Sequence, residues 1–170
     1  MDLEARIKRL EDRAALNDLV VGYFLAADGD DLEGVRSSFT DTATFSASGV
    51  LAGAGRDAIV AFIKASREQM GLTIHTPHYA QLAFDAPDQA RGLVGAHLEL
   101  VLGGTAVYGA VRYTDEYRRV GEDWRIHSRD MRTIHLAPWQ QVGDAFASDT
   151  PVRWPGAPET ASDYPRPPIQ

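Results

Sequence analysis

Residues 113–126 read YTDEYRRVGEDWRI, two stretches with a period of two joined by the short turn GED at 121–123. A period of two is the side-chain repeat of a β-strand, and a short turn joins consecutive strands as an antiparallel hairpin. The same periodicity predicts four consecutive strands, over 73–84, 91–102, 105–119 and 124–137. Because two of the connections between them are short, we expect an antiparallel meander.

The residues before these strands have a helical repeat instead. Apolar side chains recur at helical spacing over residues 3–27, which predicts one long helix with a single apolar face that ends at Gly29. Asp30 followed by Glu33 has the spacing of a capping box and predicts a short second helix. A short strand or hairpin over 42–51 then precedes a third helix. Three helices followed by a curved antiparallel sheet form an α+β arrangement, with the helices on one face.

Residues 1–140 are predicted to form one domain, followed by a proline-rich tail over 141–170. A chain of 170 residues is long enough to bury the core of a single domain. The tail is rich in proline and has no periodicity, so we expect it to wrap the surface or to be partly disordered. Trp139, Phe146 and Trp154 are candidates to close over the domain as a lid.

Composition excludes several classes of protein. The net charge of −7 argues against nucleic acid or an anionic membrane as a partner, because both bind basic surfaces. The absence of cysteine excludes disulfides and thiolate chemistry, and it would leave only histidine and carboxylates to bind zinc. The charged N-terminus is not a secretory signal, and no apolar run reaches the roughly 20 residues of a membrane span. We therefore expect a cytoplasmic protein.

Two of the five histidines lie three residues apart in the stretch IHTPHY, residues 74–79. Residues three apart in a regular strand point to opposite faces, so His75 and His78 should not bind one metal ion, although Pro77 can bulge the strand. At most one of them is expected to face the interior, where a carboxylate would fix its tautomer. Asp28, at the end of the first helix, is the candidate, and an acid in a surface loop is the alternative interpretation.

The order of the elements, the segment YFLAADGDDLEGV at 23–35, the pair His78-Tyr79 and the strands YTDEYRR and WRI resemble the SnoaL-like branch of the NTF2-like superfamily. The resemblance covers about residues 3–140 and is greatest to the group of scytalone dehydratase, bile acid 7α-dehydratase and hexachlorocyclohexane dehydrochlorinase. It implies a conical half-barrel, in which a curved antiparallel sheet and three N-terminal helices enclose a deep cavity. That cavity would contain an Asp–His dyad and no metal or organic cofactor.

The resemblance also implies roles for individual residues. It assigns the dyad to Asp28 and His78, because the histidine of the family is followed by tyrosine, and it leaves His75 to packing or the surface. Tyr23 and Arg129 would donate hydrogen bonds to the reacting group. Substrate-binding positions are expected at Val111, Tyr113, His97 and Met131.

Two of these assignments have structural alternatives. Arg129 could instead form an exposed cross-strand ion pair with Asp115 or Glu116. His97 could point away from the cavity, because its neighbours along the strand form the more apolar face. In the last strand neither face is cleanly apolar, which fits a sheet that lines a wet pocket.

The function implied by the resemblance is a cofactor-independent lyase, either a dehydratase or a dehydrohalogenase, acting on an alicyclic, steroid-like or hydroaromatic small molecule. His78 would remove a proton, and Asp28 would orient the imidazole and stabilise the resulting cation. A polyketide cyclase or a ketosteroid isomerase-like enzyme would use the same cavity. A small-ligand binder or an association subunit of a ring-hydroxylating dioxygenase would need no dyad. The resemblance further implies a homodimer or homotrimer.

Overall fold

The structure, a computed structural model, describes residues 2–164. The helices are α1 (Leu3–Asp28), α2 (Leu32–Ser38), α3 (Arg56–Arg67) and α4 (Val142–Phe146). The strands are β1 (Phe39–Ala47), β2 (Val50–Ala54), β3 (Met70–Ala86), β4 (Gln89–Leu102), β5 (Thr105–Val120) and β6 (Asp123–Pro138). This is the predicted α+β fold. Within the described residues, no helix has both the length and the hydrophobicity needed to cross a bilayer.

The six strands form one curved, open sheet in the order β2-β1-β6-β5-β4-β3. Strands β3 to β6 pair antiparallel with their neighbours in sequence, which confirms the predicted meander. The sheet is nevertheless mixed rather than wholly antiparallel, because β1 runs parallel to β6. No turn joins these two strands, so their direction is set by the long connection through α3 and the rest of the meander.

Two bulges in β6 explain why neither face of this strand is cleanly apolar. Glu116 pairs with Ser128 while Tyr117 pairs with Ile126, so His127 is an extra residue; a second shift makes Ile134 extra in the same way. Each extra residue reverses which side chains face the helices. The helix-covered face, here called the inner face, therefore receives both Ile126 and Arg129, although they lie three residues apart.

Helix α1 lies against the inner face through Leu16, Val20, Tyr23 and Phe24, all of them buried. The apolar residues of its first turns, which the pattern placed on the same buried face, are exposed instead. Asp12 binds Arg119 and Trp124 beside the β5–β6 turn. Among the residues before it, Arg9 still contacts the sheet, with its guanidinium carbon 4.1 Å from the ring centre of Phe84.

The end of α1 is fixed by its connection to α2. Gly29 caps α1 as predicted, and its N–H donates to the carbonyl of Leu25. Helix α2 begins one residue later than predicted, because Asp31 rather than Asp30 accepts the capping bond from the N–H of Gly34, at 2.9 Å. Asp30 instead takes a left-handed φ of 56° and pairs with Arg67 of α3.

The opposite, outer face of the sheet carries a cluster of imidazole and aromatic rings, here called the outer-face cluster: His78, His97, Tyr108, His135 and Phe146. The rings of His78 and His97 are 4.1 Å apart, and His97 Nδ1 lies 3.1 Å from the hydroxyl of Tyr108. Phe146 of α4 covers His135 at 4.8 Å. Burial lowers the pKa of His97 and that of His135, and a neighbouring imidazole lowers each further.

The described part of the tail wraps the domain. Val152 forms a parallel bridge with Leu136 of β6 and an antiparallel bridge with Thr160, and Trp154 packs against the core. Trp139 and Phe146 are exposed. A role for the tail as a lid stays a prediction, and residues 165–170, its predicted end, lie outside the described residues.

The packing of α1 can be tested with two leucines of the same helix. Leu16 is 0% exposed and Leu25 is 68% exposed. Leu16→Ala should lower the free energy of unfolding by about 2–5 kcal/mol, because it leaves a cavity in the core. Leu25→Ala should change it by less than about 0.5 kcal/mol. Urea unfolding of both variants measures the difference, and equal losses would contradict this placement of the helix.

The outer-face cluster predicts a pH dependence of stability. The pKa values of His97 and His135 are lowered from their ordinary value of 6.5, so the unfolded chain binds protons more readily there than the folded one. Their contribution to stability should be complete above pH 6.5 and decline as the pH falls below that value. In thermal unfolding at pH 7.5 and pH 5, His135→Gln should show a smaller loss of Tm on acidification than the parent chain. A loss as large as that of the parent would contradict the prediction.

Candidate functional site

The carboxylate of Asp28 is bound at both oxygens by one histidine. Its Oδ1 lies 2.6 Å from Nδ1 of His75, and its Oδ2 accepts the backbone N–H of His75 at 2.7 Å. The two side chains are mostly buried, with 19% of Asp28 and 14% of His75 exposed. The ring of Phe24 stacks on the imidazole at 4.9 Å, with 9° between the planes. Asp28 and His75 therefore form an oriented, mostly buried pair that keeps a small exposed fraction.

The prediction that Asp28 pairs with His78 is wrong, as is the assignment of His75 to packing or the surface. Pro77 pairs with Ala96 and Tyr79 with Gly95, so His78 is the extra residue of a bulge in the edge strand β3. An edge strand and a bulge are where proline is tolerated in a sheet. His75 lies before the bulge and faces α1, while His78 is exposed on the outer face.

Because His75 and His78 point to opposite faces of the sheet, their imidazoles are not placed to bind one metal ion together. The expectation that at most one of the two faces the interior agrees with this arrangement. Within residues 2–164, no group of three or more His, Asp or Glu side chains is placed to hold a metal ion.

Arg129 lies on the inner face as a fully buried side chain. Its Nε donates to Oδ1 of Asp115 at 2.8 Å and its Nη2 to Oδ2 at 2.6 Å, and neither side chain has any exposed surface. The hydroxyl of Tyr117 donates a third bond to Asp115, at 2.7 Å. The cross-strand ion pair with Asp115, which was the alternative interpretation of Arg129, is therefore observed. It is buried on the inner face rather than exposed. Burial alone would lower the pKa of Arg129, and Asp115 raises it above its ordinary value.

Aromatic rings enclose this ion pair. The guanidinium carbon of Arg129 lies 4.4 Å from the ring centre of Tyr23 and 4.7 Å from that of Tyr113, within the range of cation–π contacts. Phe24 lies between Tyr113 and His75, in contact with both rings. Burial raises the pKa of Tyr23 and that of Tyr113, so both hydroxyls stay protonated at neutral pH. They can donate hydrogen bonds but are poor acids.

The predicted substrate-binding residues divide between the two faces. Val111 and Tyr113 are buried on the inner face, and Met131 packs against the same core. His97, also predicted to bind substrate, lies on the outer face, because its strand partners there are Thr76 and Ala110. The apolar residues on either side of His97 face inward, which agrees with the alternative interpretation that His97 points away from the cavity.

Two polar atoms on the inner face have no partner among the described residues. Nη1 of Arg129 and Oγ1 of Thr133 are both buried and make no hydrogen bond. Both residues lie on the part of β6 between its two bulges, four residues apart on one face. Buried polar groups of proteins are nearly always paired, so each of these atoms is a candidate to meet a bound molecule or water.

Sequence reasoning missed Arg67, which holds the start of β3 beside Asp28 and His75. Its guanidinium donates to Oδ1 of Asp30 at 2.6 Å and also binds the hydroxyl of Thr73. Thr73 and His75 lie two residues apart on one face of β3. Asp28 ends α1 and Asp30 lies in the following turn, so the end of this helix and the strand β3 are joined at two points. Only the acidic stretch after Asp28 could have suggested this contact.

The comparisons with known proteins agree with this architecture. Residues 8–130 match the family described as the SnoaL-like domain. The crystal structure of LinA superposes with a TM-score of 0.73 at 25% identity, covering 78% of this chain and 92% of that one. No curated protein sequence matches the chain significantly.

Two further solved structures share the fold alone. A LinA-type3 hexachlorocyclohexane dehydrochlorinase from Novosphingobium barchaimii LL02 has a TM-score of 0.72 at 23% identity, over 78% of this chain and 93% of that one. A candidate scytalone dehydratase from Novosphingobium aromaticivorans DSM 12444 has a TM-score of 0.73 at 17% identity, over 79% and 91%. The family match covers most of the domain, and the chain belongs to the SnoaL-like family of NTF2-like proteins.

Proposed function

We propose that this chain is a cofactor-independent lyase that removes water or halide from an alicyclic, steroid-like or hydroaromatic small molecule. The observation that carries the proposal is the bond of 2.6 Å between Asp28 and Nδ1 of His75, in a partly open site. Membership of a family of small-molecule-processing proteins supports it, as does the likeness to LinA, since related structures are dehydrochlorinases by name.

His75 would act as the base. With Nδ1 donating its proton to Asp28, the lone pair of the imidazole lies on Nε2, which can accept a proton from carbon. Asp28 orients the ring and stabilises the imidazolium that forms, as the carboxylate of a hydrolase triad does. The second bond, from the backbone N–H of His75, keeps the carboxylate from rotating away.

The elimination conserves atoms and charge. A proton moves from carbon to Nε2, the electrons of that C–H bond form a C=C bond, and the bond to the leaving group breaks with its electron pair. A halide leaves as the anion, whereas a hydroxyl takes up a proton as it leaves, for which the imidazolium of His75 is a source. Tyr23 and Arg129 would donate hydrogen bonds to the leaving group or to a neighbouring carbonyl oxygen.

A cyclase or isomerase would use the same base and the same interior, so the geometry does not favour it over elimination. An association subunit or simple ligand binder would have no use for the pair of Asp28 and His75. A carboxylate at the C-terminal end of a helix is disfavoured by the helix dipole, and Asp28 occupies that position. This cost supports a catalytic role over a purely structural one.

We also propose that the chain assembles as a homodimer or homotrimer through the outer face. Leu72, Ile74 and Trp139 expose apolar side chains there and line one depression, and an exposed apolar patch of this kind marks an interface. Light scattering of the purified chain should give a mass two or three times 18.6 kDa. A monomer at micromolar concentration would contradict the proposal.

The catalytic proposal is tested with the two neighbouring histidines as a matched pair. Hydroxylated and halogenated ring compounds are screened for halide release or a new conjugated double bond, and the variants are compared on the substrate found. His75→Asn should lower the rate by about 10²–10⁴-fold, and Asp28→Asn should lower it comparably, because both remove the oriented base. His78→Asn should leave the rate within about threefold.

Circular dichroism and urea unfolding serve as the control for the fold of all three variants. A His75→Asn variant that folds and keeps the parental rate would refute the proposal. Loss of activity in His78→Asn alone would move the base to the outer face and would refute it equally.

A further inference from the structure

We infer that Arg67 is a positioning residue for the pair of Asp28 and His75, because it ties the start of β3 to the turn that follows α1. The inference rests on the proposed function in one respect, since it takes this pair as the reacting site. It goes beyond that function by assigning the geometry of the pair to a third residue, which lies in α3.

The segment of β3 that carries His75 is held by the sheet on one side. Strand β3 is the edge strand next to β4, and its pairing is regular from Thr73 to Pro77, between two register shifts. The backbone N–H of His75 donates to Asp28 rather than to β4. An edge strand interrupted by bulges bends and slips more readily than an inner strand, because fewer ladder bonds hold it. The position of His75 therefore depends on contacts from outside the sheet.

Arg67 supplies such a contact from the last turn of α3. Its Nε and Nη2 donate to the two carboxylate oxygens of Asp30, at 2.6 and 3.3 Å. Its Nη1 binds the hydroxyl of Thr73, and its Nη2 also reaches the carbonyl of Gly71, at 3.4 Å. Thr73 is 5% exposed, and 13% of the side chain of Arg67 is exposed. One planar guanidinium thus bridges the turn and the strand, at positions two residues from each member of the pair.

The shape of the guanidinium matters here more than its charge. The side chain of Asp30 is 64% exposed, and an ion pair with such a partner contributes little by itself. Asp30 also has a left-handed φ of 56°, a backbone conformation that residues other than glycine seldom adopt, so two bonds to its carboxylate help to hold the turn. A lysine carries the same charge at one point and cannot bind Asp30 and Thr73 through separate nitrogens of a rigid plane. We therefore expect Arg67→Lys to lose most of the positioning.

Hydrogen exchange of the backbone amide of His75 measures the pair without a substrate. Asp28 accepts this N–H at 2.7 Å, so its exchange with solvent reports how often the contact opens. In exchange experiments followed by NMR, Arg67→Gln and Arg67→Lys should each raise the exchange rate at His75 by at least about tenfold. The amide of Val111, in the inner strand β5, should keep its rate. Unchanged exchange at His75 would overturn the inference, as would an equal rise at both amides, which would indicate a loss of overall stability.

Thr73→Val tests the link from the strand side, because it removes the hydroxyl that Arg67 binds and keeps a side chain of similar shape. It should also raise the exchange rate at His75, and adding it to Arg67→Gln should raise that rate by less than about twofold more, because both changes break one link. Arg36→Gln is the matched control: Arg36 joins α2 to α3 through Asp57, and its loss should leave His75 unchanged. Effects of Arg67→Gln and Thr73→Val that simply multiply would overturn the inference. If Arg67→Gln does not fold, unchanged exchange in Thr73→Val would overturn it.

Turnover separates this inference from the proposed function. On the substrate found for the parent chain, Arg67→Gln should lower kcat by about 10–100-fold and change KM by less than about threefold, because it misplaces the base without removing it. If His75→Asn keeps full activity while Arg67→Gln speeds exchange at His75, the lyase proposal fails and the positioning of the pair stands. If His75→Asn abolishes turnover while Arg67→Gln changes neither exchange nor kcat, the positioning role fails and the lyase proposal stands.

Discussion

The buried ion pair of Asp115 and Arg129 constrains the whole inner face. Two charges without exposed surface are costly to place in a protein interior, and leaving one of them alone costs about 3–5 kcal/mol. The pair is tolerable because its hydrogen bonds are bidentate, because Tyr117 adds a third bond, and because two aromatic rings lie against the guanidinium. Asp115 and Arg129 are direct partners across β5 and β6, so their pairing also holds the register of these strands.

The position of α1 follows from this pair. Tyr23 packs against the guanidinium of Arg129, and the adjacent Phe24 packs against Tyr113 and stacks on His75. One further turn of the helix brings Asp28 to the imidazole. A change in the register of β6 would remove Arg129 from beneath Tyr23 and would disturb the contact between helix and strand on which the candidate site depends. The ion pair therefore positions the helix that carries Asp28, and in the proposed mechanism its Arg129 also donates a hydrogen bond to the reacting molecule.

Local patterns were sufficient to predict the meander, because each strand is joined to the next by a short turn that the sequence displays. The parallel pairing of β1 with β6 had no such signal, since about 80 residues separate the two strands. The candidate site was predicted only in part, for a related reason. Asp28, Tyr23 and Arg129 were recognised through a family resemblance, whereas the identity of the histidine depends on where the edge strand bulges.

Alternation predicts side-chain direction only between bulges. The rule that residues three apart face opposite sides was sound for His75 and His78, but it could not say which of them faces inward. Pairing with β4 decides this, because Leu98 lies opposite His75 and holds it toward α1. The same limit applies to β6, where the extra residue His127 turns Arg129 inward. The mixture of polar and apolar residues on both faces of β6, which suggested a wet pocket, is thus largely a consequence of the two bulges in that strand.

The charges near His75 bear on the proposed chemistry. Arg129 and Asp115 neutralise each other, whereas Asp28 is bound by His75 and lies at the unfavourable end of a helix. Under the proposed mechanism, a positive charge develops beside Asp28 as His75 takes up the proton from carbon, so the carboxylate interacts more strongly with the transition state than with the resting enzyme. Such differential stabilisation is the requirement for catalysis, and it explains why a site that adds nothing to the stability of α1 would be kept.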